Sequence, residues 1–237
     1  MASGSGSPPD ARSAWLPLFR VGGVSGLVFV ALVMVPLVLL FVAPVPPTDA
    51  AQLLRYIADH RAVYLVELVC FVGLGVPALL VFVAVAVALR TASPSLAVVG
   101  GLLGAVSETI ALALGSSPQS LHGGLVVLSD GYLAAETGAE RSRLLAAADA
   151  LIAATNAVSW AGILTAAAIL VLSSIMACTR FGRFLAVLGC VAGVTGIVSE
   201  ALRPLIGPGY LVYGLLLPAW FGLVGWKLLR GFAADAS

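Results

Sequence analysis

Six long apolar segments constrain the fold of this chain more than any other feature of its sequence. They cover residues 21–43, 62–89, 95–115, 153–177, 184–202 and 209–229. Nearly all of the charged residues lie between these segments. A helix of roughly 20 apolar residues is long enough to cross a hydrocarbon core about 30 Å thick. The pattern therefore predicts an all-α, polytopic membrane protein with six transmembrane helices.

The composition supports the same class of protein and excludes others. Hydrophobic residues make up 61% of the 237-residue chain and charged residues only 10%, whereas a soluble domain has about 25% charged residues. One soluble core could not cover so much apolar surface, so the lipid bilayer is the first expected partner. The formal net charge of +1 leaves no broad basic surface for nucleic acid. A membrane partner protein or a second copy of the chain is compatible with this pattern.

The sequence divides into one membrane domain and two short tails. Residues 1–14 are rich in Ser, Gly and Pro and predict a disordered tail, 15–230 predict the six-helix domain, and 231–237 predict a short C-terminal tail. The first apolar segment is longer than the roughly 7–15 residues of a signal-peptide core. Pro44 directly after Ala43 also disfavours cleavage there, so we expect this segment to remain as a transmembrane helix.

The basic residues predict the orientation of the spans in the membrane. The side that carries the N-terminus has seven of them, namely Arg12, Arg20, Arg90, Arg180, Arg183, Lys227 and Arg230. The opposite side has five, namely Arg55, Arg61, Arg141, Arg143 and Arg203. Because positive residues favour the cytoplasm, we predict a protein of the cell membrane with both termini in the cytoplasm. The long connections 44–61 and 116–145 then lie outside.

Residues 139–152, which precede the fourth apolar segment, carry apolar positions at helical spacing. This stretch either lies in the outer membrane interface or extends the fourth span. We favour the extension.

Spans two and three resemble spans four and five at a constant offset. Residues 96–100 reappear as 185–189, Gly104 matches Gly193, and Glu67 falls on Asn156. The pattern predicts a duplicated helical hairpin whose two copies run parallel, although apolar helices also resemble one another by chance. The glycines permit close helix packing whether or not the repeat is real.

Three glutamates within or at the edge of the spans are the strongest candidates for a functional site. A charged residue at the centre of a spanning helix costs about 2.5–3.5 kcal/mol and therefore faces the bundle interior or a water-filled cavity. From the helical rise, Glu108 lies about 18 Å and Glu200 about 22 Å from the inner boundary. Glu67 enters from the outside, near the outer boundary. All three side chains are therefore predicted in the outer half of the membrane.

These glutamates and two other polar residues predict a polar cavity in the outer half. Its candidate residues are Glu108, Glu200, Glu67, Asn156 and Arg203. Arg203 lies one turn after Glu200, at the spacing where side chains on a helix meet. The alternative is structural, with Glu200 paired to Arg203, Glu67 reaching outer water and Glu108 joining two helices.

Several kinds of chemistry find no support in the sequence. Cys70, Cys178 and Cys190 are an odd number of thiols in or near spans and fit small packing residues. His60 and His122 lie in different connections, with no partner at metal-ligand spacing. No serine-hydrolase, zinc-protease or phosphate-loop motif is present. We therefore predict no catalytic residue, metal or cofactor, and an intramembrane enzyme is the least favoured hypothesis.

Short motifs accompany the six-span layout between Arg20 and Arg230. They are 88–90 at the end of span two, Glu108 in span three, 184–189 at the start of span five, and 220–226 at the end of span six. In this pattern the chain resembles the bacterial membrane proteins of domain-of-unknown-function family 4386 (DUF4386). An arginine often precedes the span-three glutamate by three residues in that family, and here the position is Ala105. The resemblance implies the six-span architecture and a bacterial inner membrane, but no activity.

Two hypotheses about function follow from the sequence. In the first, the protein binds or moves a small molecule, a proton or a lipid through the polar cavity. In the second, it is a structural or accessory membrane subunit without a ligand, whose glutamates fix helix packing or bind a partner helix. Open space around Glu108 would favour the first hypothesis. A tightly packed Glu108, hydrogen-bonded to a neighbouring helix, would favour the second.

Overall fold

The computed structural model describes residues 13–39, 41, 44, 46–115, 121–157, 159–206 and 209–232. Within these ranges the chain forms helices and no strands. The α-helices are α1 Leu16–Leu39, α2 Ala50–Asp59, α3 Arg61–Gly73, α4 Gly75–Leu89, α5 Pro94–Leu114, α6 Gly123–Ala134, α7 Gly138–Ala157, α8 Ser159–Ser174, α9 Gly182–Ala201, α10 Arg203–Ile206 and α11 Tyr210–Lys227. A 3-10 helix, Ser13–Trp15, precedes α1, and a π-helix, Leu228–Phe232, follows α11.

The two tails predicted from the sequence fall almost entirely outside the described residues. Of the N-terminal tail, only residues 13 and 14 are described, and they belong to the 3-10 helix. Of the C-terminal tail, only residues 231 and 232 are described, and they belong to the π-helix.

Six helical segments are long and apolar enough to cross a membrane, which confirms the predicted fold class. We call them spans 1 to 6: Leu16–Pro36, Arg61–Leu89, Pro94–Leu114, Gly138–Ser174, Gly182–Ala201 and Tyr210–Phe232. Span 2 consists of α3 and α4, and span 4 includes α7 and α8. The protein is therefore an all-α, polytopic membrane protein.

The six spans form a closed ring in the order in which they occur along the chain. Each span packs against the next one, and span 6 returns to pack against span 1. Glycines make this closing contact close. A Cβ atom on Gly26 would lie 2.6 Å from the carbonyl oxygen of Phe221, and one on Gly225 would lie 2.7 Å from the carbonyl oxygen of Gly23. Small residues thus bring the backbones of the first and last spans together, as is common between membrane helices.

Four aromatic side chains fill the interior of the ring. Phe29 stacks on Phe221 with their ring centroids 4.0 Å apart, and Phe82 meets Phe221 edge-on at 5.5 Å. The indole nitrogen of the buried Trp220 donates a hydrogen bond to Ser173 Oγ at 3.1 Å. The polar groups described below therefore do not continue through this part of the interior.

Span 2 is interrupted between α3 and α4, near Pro77. Proline has no backbone N–H, and its ring collides with the carbonyl group four residues earlier, which here belongs to Gly73. The helix accordingly ends at Gly73 and begins again at Gly75. This break separates α3, which carries the buried Glu67, from α4, which continues to Leu89.

The described parts of the two long connections contain helices that the sequence pattern did not predict. We call α2, α6 and the adjoining first half of α7 the cap. Its core contains the fully buried side chains of Leu53, Leu54, Ile57, Leu121 and Leu125. Helices α2 and α6 are too short to span a membrane, so a search for long apolar segments does not find them. In α2, the apolar residues lie on one face, and that face packs into the cap.

The stretch 139–152 is helical and belongs to α7, which precedes α8 in span 4. Whether it extends the span or lies in the outer membrane interface stays a prediction. Leu144, Leu145, Leu151 and Ile152 pack against the core of the cap. Protein rather than lipid therefore covers the apolar face of this stretch.

The glycine pairs in spans 3 and 5 both lie in helix contacts. Gly104 packs against Phe82 and Gly193 against Ala166, in each case on the other helix of the same hairpin. Gly100 packs against Leu172 of the following span, whereas Gly189 lies against both Ser173 of its own hairpin and Trp220 of the following span. Glu67, however, is buried whereas Asn156 is exposed. The duplicated hairpin therefore stays a prediction.

Candidate functional site

Glu108 lies on α5 and is tied to α8 by hydrogen bonds. Its side chain is buried, and Thr165 Oγ1 donates a hydrogen bond to its Oε1 at 3.0 Å. The preceding residue, Ser107, donates to the carbonyl oxygen of Ala161, and its oxygen also lies 2.6 Å from Thr165 Oγ1. Glu108 is thus packed and bonded to a neighbouring helix, which is the arrangement that we expected for a structural role.

Each of the two carboxylate oxygens of Glu200 on α9 has a hydrogen-bond partner. The hydroxyl group of Tyr210 donates a hydrogen bond to Oε1 at 2.6 Å, and Arg203 donates to Oε2 at 3.5 Å. The guanidinium group of Arg203 also lies over the ring of Tyr210, 4.9 Å from its centroid. The pairing of Glu200 with Arg203 that their spacing predicts is therefore present.

Helix α8 brings these two networks close together. Ser107 reaches Ala161 from the side of α5, whereas Glu200 packs over the next residue, Gly162, from the side of α9. A Cβ atom on Gly162 would lie 2.7 Å from Glu200 Oε1, so only glycine leaves space for the carboxylate. The structure thus places Glu108 and Glu200 against one segment of α8, and Arg203 is paired with Glu200.

Glu67 lies on α3, on the side of the cap, and differs from the other two glutamates. Its side chain is 4% exposed, and its buried Oε2 has no hydrogen-bond partner in the part of the chain that the structure describes. No hydrogen bond or ion pair between described residues joins it to Glu108, Glu200 or Arg203. The structure therefore separates Glu67 from the rest of the predicted cavity.

Glu67 ends a row of polar side chains that we call the polar stripe: Tyr56, His60, Tyr64 and Glu67. Their spacing is three or four residues, as on one side of a helix. The helix is interrupted within this set, because α2 ends at Asp59, α3 begins at Arg61, and His60 between them has a non-helical φ of −123° and ψ of 35°. Two hydrogen bonds cross this junction, from His60 N to Tyr56 O at 2.8 Å and from Tyr64 N to His60 O at 3.0 Å. The rings of Tyr56 and His60 stack with their centroids 4.7 Å apart.

Three buried atoms of the polar stripe lack hydrogen-bond partners among the described residues. They are Tyr56 OH, His60 Nδ1 and Glu67 Oε2. An unsatisfied buried polar atom costs about 1–3 kcal/mol, and such atoms often mark the place of a water molecule or an ion. Burial and, to a smaller extent, the negative charge of Glu67 raise the pKa of Tyr56.

Tyr64 connects the polar stripe to the cap. Its fully buried hydroxyl oxygen accepts a hydrogen bond from His122 N at 3.1 Å. His122 Nδ1 in turn accepts from Gly124 N at 2.9 Å and so caps the start of α6. Tyr64 therefore forms hydrogen bonds with both His60 and His122, which lie far apart in the sequence.

A search restricted to the long apolar segments misses the polar stripe, because Tyr56 and His60 lie before span 2. The signal that could have indicated it is the spacing of residues 56, 60, 64 and 67, although the helix is interrupted at His60. Only Glu67 of this set was predicted as a site residue. Asn156, in contrast, has an exposed side chain on α7.

The described residues show no cluster of three or more His, Cys, Asp and Glu side chains that could hold a metal ion. All three cysteines are free thiols: Cys70 is buried, Cys190 is partly buried and Cys178 is exposed.

The fold and these polar groups define an all-α membrane protein with a six-span ring, a helical cap at one end of the ring and a buried polar stripe beneath the cap. No family model, curated protein or solved structure matches the chain significantly. The resemblance to DUF4386 therefore stays a prediction.

Proposed function

We propose that this membrane protein binds a proton or a small monovalent cation at Glu67, on the side of the cap. The observation that supports this proposal is the buried Oε2 atom of Glu67, which has no hydrogen-bond partner among the described residues. An ionised carboxylate that is buried away from water needs a compensating charge or hydrogen bonds. A proton or a bound cation supplies this compensation.

The surroundings of Glu67 suit a small positively charged ligand. The unpaired Tyr56 hydroxyl group and His60 Nδ1 lie eleven and seven residues before Glu67 and are two further unsatisfied polar atoms on the side of the cap. In this proposal Glu108 and Glu200 hold helices together, because each already has hydrogen-bond donors from the protein.

We also propose that the cap lies outside the cell and both termini lie in the cytoplasm. The described part of the chain includes nine of the eleven acidic residues, and all nine lie in the half that carries the cap. The opposite end carries six described basic residues: Arg20, Arg90, Arg180, Arg183, Lys227 and Arg230. Positive charge favours the cytoplasmic side. A bacterial inner membrane follows from the resemblance to DUF4386.

The first test compares the thermal stability of the purified wild type and Glu67→Gln in sodium, potassium, ammonium and N-methylglucamine chlorides of equal ionic strength. A cation that binds the folded wild type raises its melting temperature by mass action, and Glu67→Gln should remove this increase. Glu136→Gln, at an exposed position of the cap, is the matched control and should keep it. An identical ion response of Glu67→Gln and wild type would contradict binding of a metal or ammonium cation at Glu67.

The second test addresses the proton. A hydrophobic carbodiimide modifies protonated carboxyl groups, and peptide mass spectrometry locates the adduct. We expect modification of Glu67 that decreases with rising pH and with any cation that stabilises the protein. If Glu67 is unmodified at every pH and no cation stabilises the wild type, the proposal is wrong.

The second candidate function is a structural or accessory membrane subunit. The hydrogen bonds from Thr165 to Glu108 and from Tyr210 to Glu200 favour it, because they tie neighbouring spans together. Its partner would be another membrane protein or a second copy of the chain. This candidate predicts no ion response and copurification of a stoichiometric partner or a stable oligomer.

A further inference from the structure

A groove lies at the end of the molecule opposite the cap, between the start of α9 and the end of α11. Its volume is about 280 Å³. Apolar walls come from Phe184, Leu185, Leu223 and Trp226, and cationic side chains come from Arg183 and Lys227. It is therefore distinct from the polar stripe.

The groove opens towards the lipid. The side chains of Phe184 and Trp226 are 75% and 45% exposed, although both belong to spans. In a membrane such surfaces contact acyl chains, and aromatic residues of this kind are common at the level of the head groups. A ligand in the groove is thus accessible from the bilayer.

The cationic side chains of the groove are available for a ligand. Neither Arg183 nor Lys227 forms a hydrogen bond or ion pair with any described residue. Arg230 lies beside the groove, with its guanidinium group 3.9 Å from the ring centroid of Trp226. No described carboxylate lies at this end of the molecule, so none competes for the positive charge.

We propose that this groove binds an anionic phospholipid. The phosphate group lies between Arg183 and Lys227, and an acyl chain follows Phe184 and Leu223 along the surface of the spans. Basic pockets between membrane helices bind anionic head groups in this way. The exposed apolar walls favour a lipid over free phosphate, which would leave them uncovered. This inference is independent of the proposed function of Glu67.

Native mass spectrometry in detergent tests the proposal by titration with phosphatidylglycerol and with phosphatidylcholine of the same acyl chains. We expect the wild type to prefer phosphatidylglycerol. The double variant Arg183→Gln, Lys227→Gln should lose affinity about thirty-fold, because each interfacial cation contributes roughly fivefold. Arg90→Gln is the matched control. It lies at the same end, but its guanidinium group packs over Trp15, and its substitution should leave the affinity unchanged.

Three outcomes would overturn the proposal. One is equal binding of the two lipids by the wild type. Another is a double variant that melts at the wild-type temperature and binds phosphatidylglycerol as tightly as wild type. The third is complete displacement of the lipid by millimolar inorganic phosphate, which would identify a site for a free anion.

Discussion

The carboxylate oxygens of the three buried glutamates differ in their hydrogen-bond partners. We base the different roles that we propose for these residues on this difference. Helical rise predicts the depth of each residue from the sequence alone, but it does not predict contacts with other helices. Thr165 lies 57 residues after Glu108, and Tyr210 reaches Glu200 across a turn. Such contacts depend on helix rotation and packing, which the repeating apolar pattern leaves undetermined.

Thr165→Val tests the bond between spans 3 and 4 at the scale of one residue. The substitution keeps the shape of the side chain and removes the donor to Glu108. We expect a loss of about 0.5–1.5 kcal/mol in the free energy of unfolding, the range for interhelical hydrogen bonds in membranes. Unfolding in mixed detergent measures it. Thr109→Val is the control, because that exposed hydroxyl group bonds to Ala105 O on its own helix. Equal effects of the two substitutions would contradict the expected role.

Gly162→Ala tests the space beside Glu200. The added methyl group would push the carboxylate away from α8 and strain its bond with Tyr210, at a cost of about 1–3 kcal/mol. Gly214→Ala, where an added Cβ meets no atom within 4 Å, should leave the free energy of unfolding unchanged or increase it. Thermal unfolding of both variants in the same detergent provides the comparison. A fully stable Gly162→Ala protein would show that Glu200 can move without cost.

At the scale of secondary-structure elements, the sequence predicts the spans well and the cap poorly. Spans 2, 3, 5 and 6 begin and end within three residues of their apolar segments. Span 1 begins five residues earlier and ends seven residues earlier than its segment, and span 4 begins fifteen residues earlier. The helices α2 and α6 pack against one another and against α7. The contacts made by α2 join segments that are distant along the chain, so the sequence pattern of either helix alone does not predict them. A helical period applied to short connections as well as long segments would have indicated α2.

The ion pair between Asp130 on α6 and Arg61 at the start of α3 attaches the cap to span 2. Both side chains are about half exposed, so its contribution is small and decreases with salt. Asp130→Asn should therefore increase hydrogen exchange in α6 at low salt and much less at high salt. Asp149→Asn, on the exposed face of α7, is the control. Unchanged exchange of α6 at low salt would show that apolar packing alone holds the cap.

The same ion pair gives the cap a pH dependence. The hydrogen bond from Arg61 lowers the pKa of Asp130. The unfolded carboxyl group has a pKa of about 3.9, so the stabilisation is complete above that pH and is lost as the pH falls through the lower folded value. Proteolysis of the cap by pepsin across this acidic range should therefore show a smaller pH dependence for Asp130→Asn than for wild type. An equal pH dependence of the two proteins would argue against this contribution.

At the scale of the whole molecule, the separation of charge between the two ends predicts the orientation of the protein. Cys178 is exposed at the end opposite the cap, so a membrane-impermeant maleimide should label it in inverted vesicles but not in intact spheroplasts. Cys178→Ser should remove this labelling. In that background, Glu140→Cys on the exposed surface of the cap should be labelled in spheroplasts. The reverse pattern would place the cap in the cytoplasm.

The closing contact between spans 1 and 6 has a consequence for biosynthesis. Span 1 is made first, but the surface that includes Gly23 and Gly26 receives its partner only when span 6 has entered the membrane. The nascent chain therefore holds an incomplete arc of helices until translation of the last span. A chain truncated before span 6 would leave the glycine surface of span 1 open to lipid.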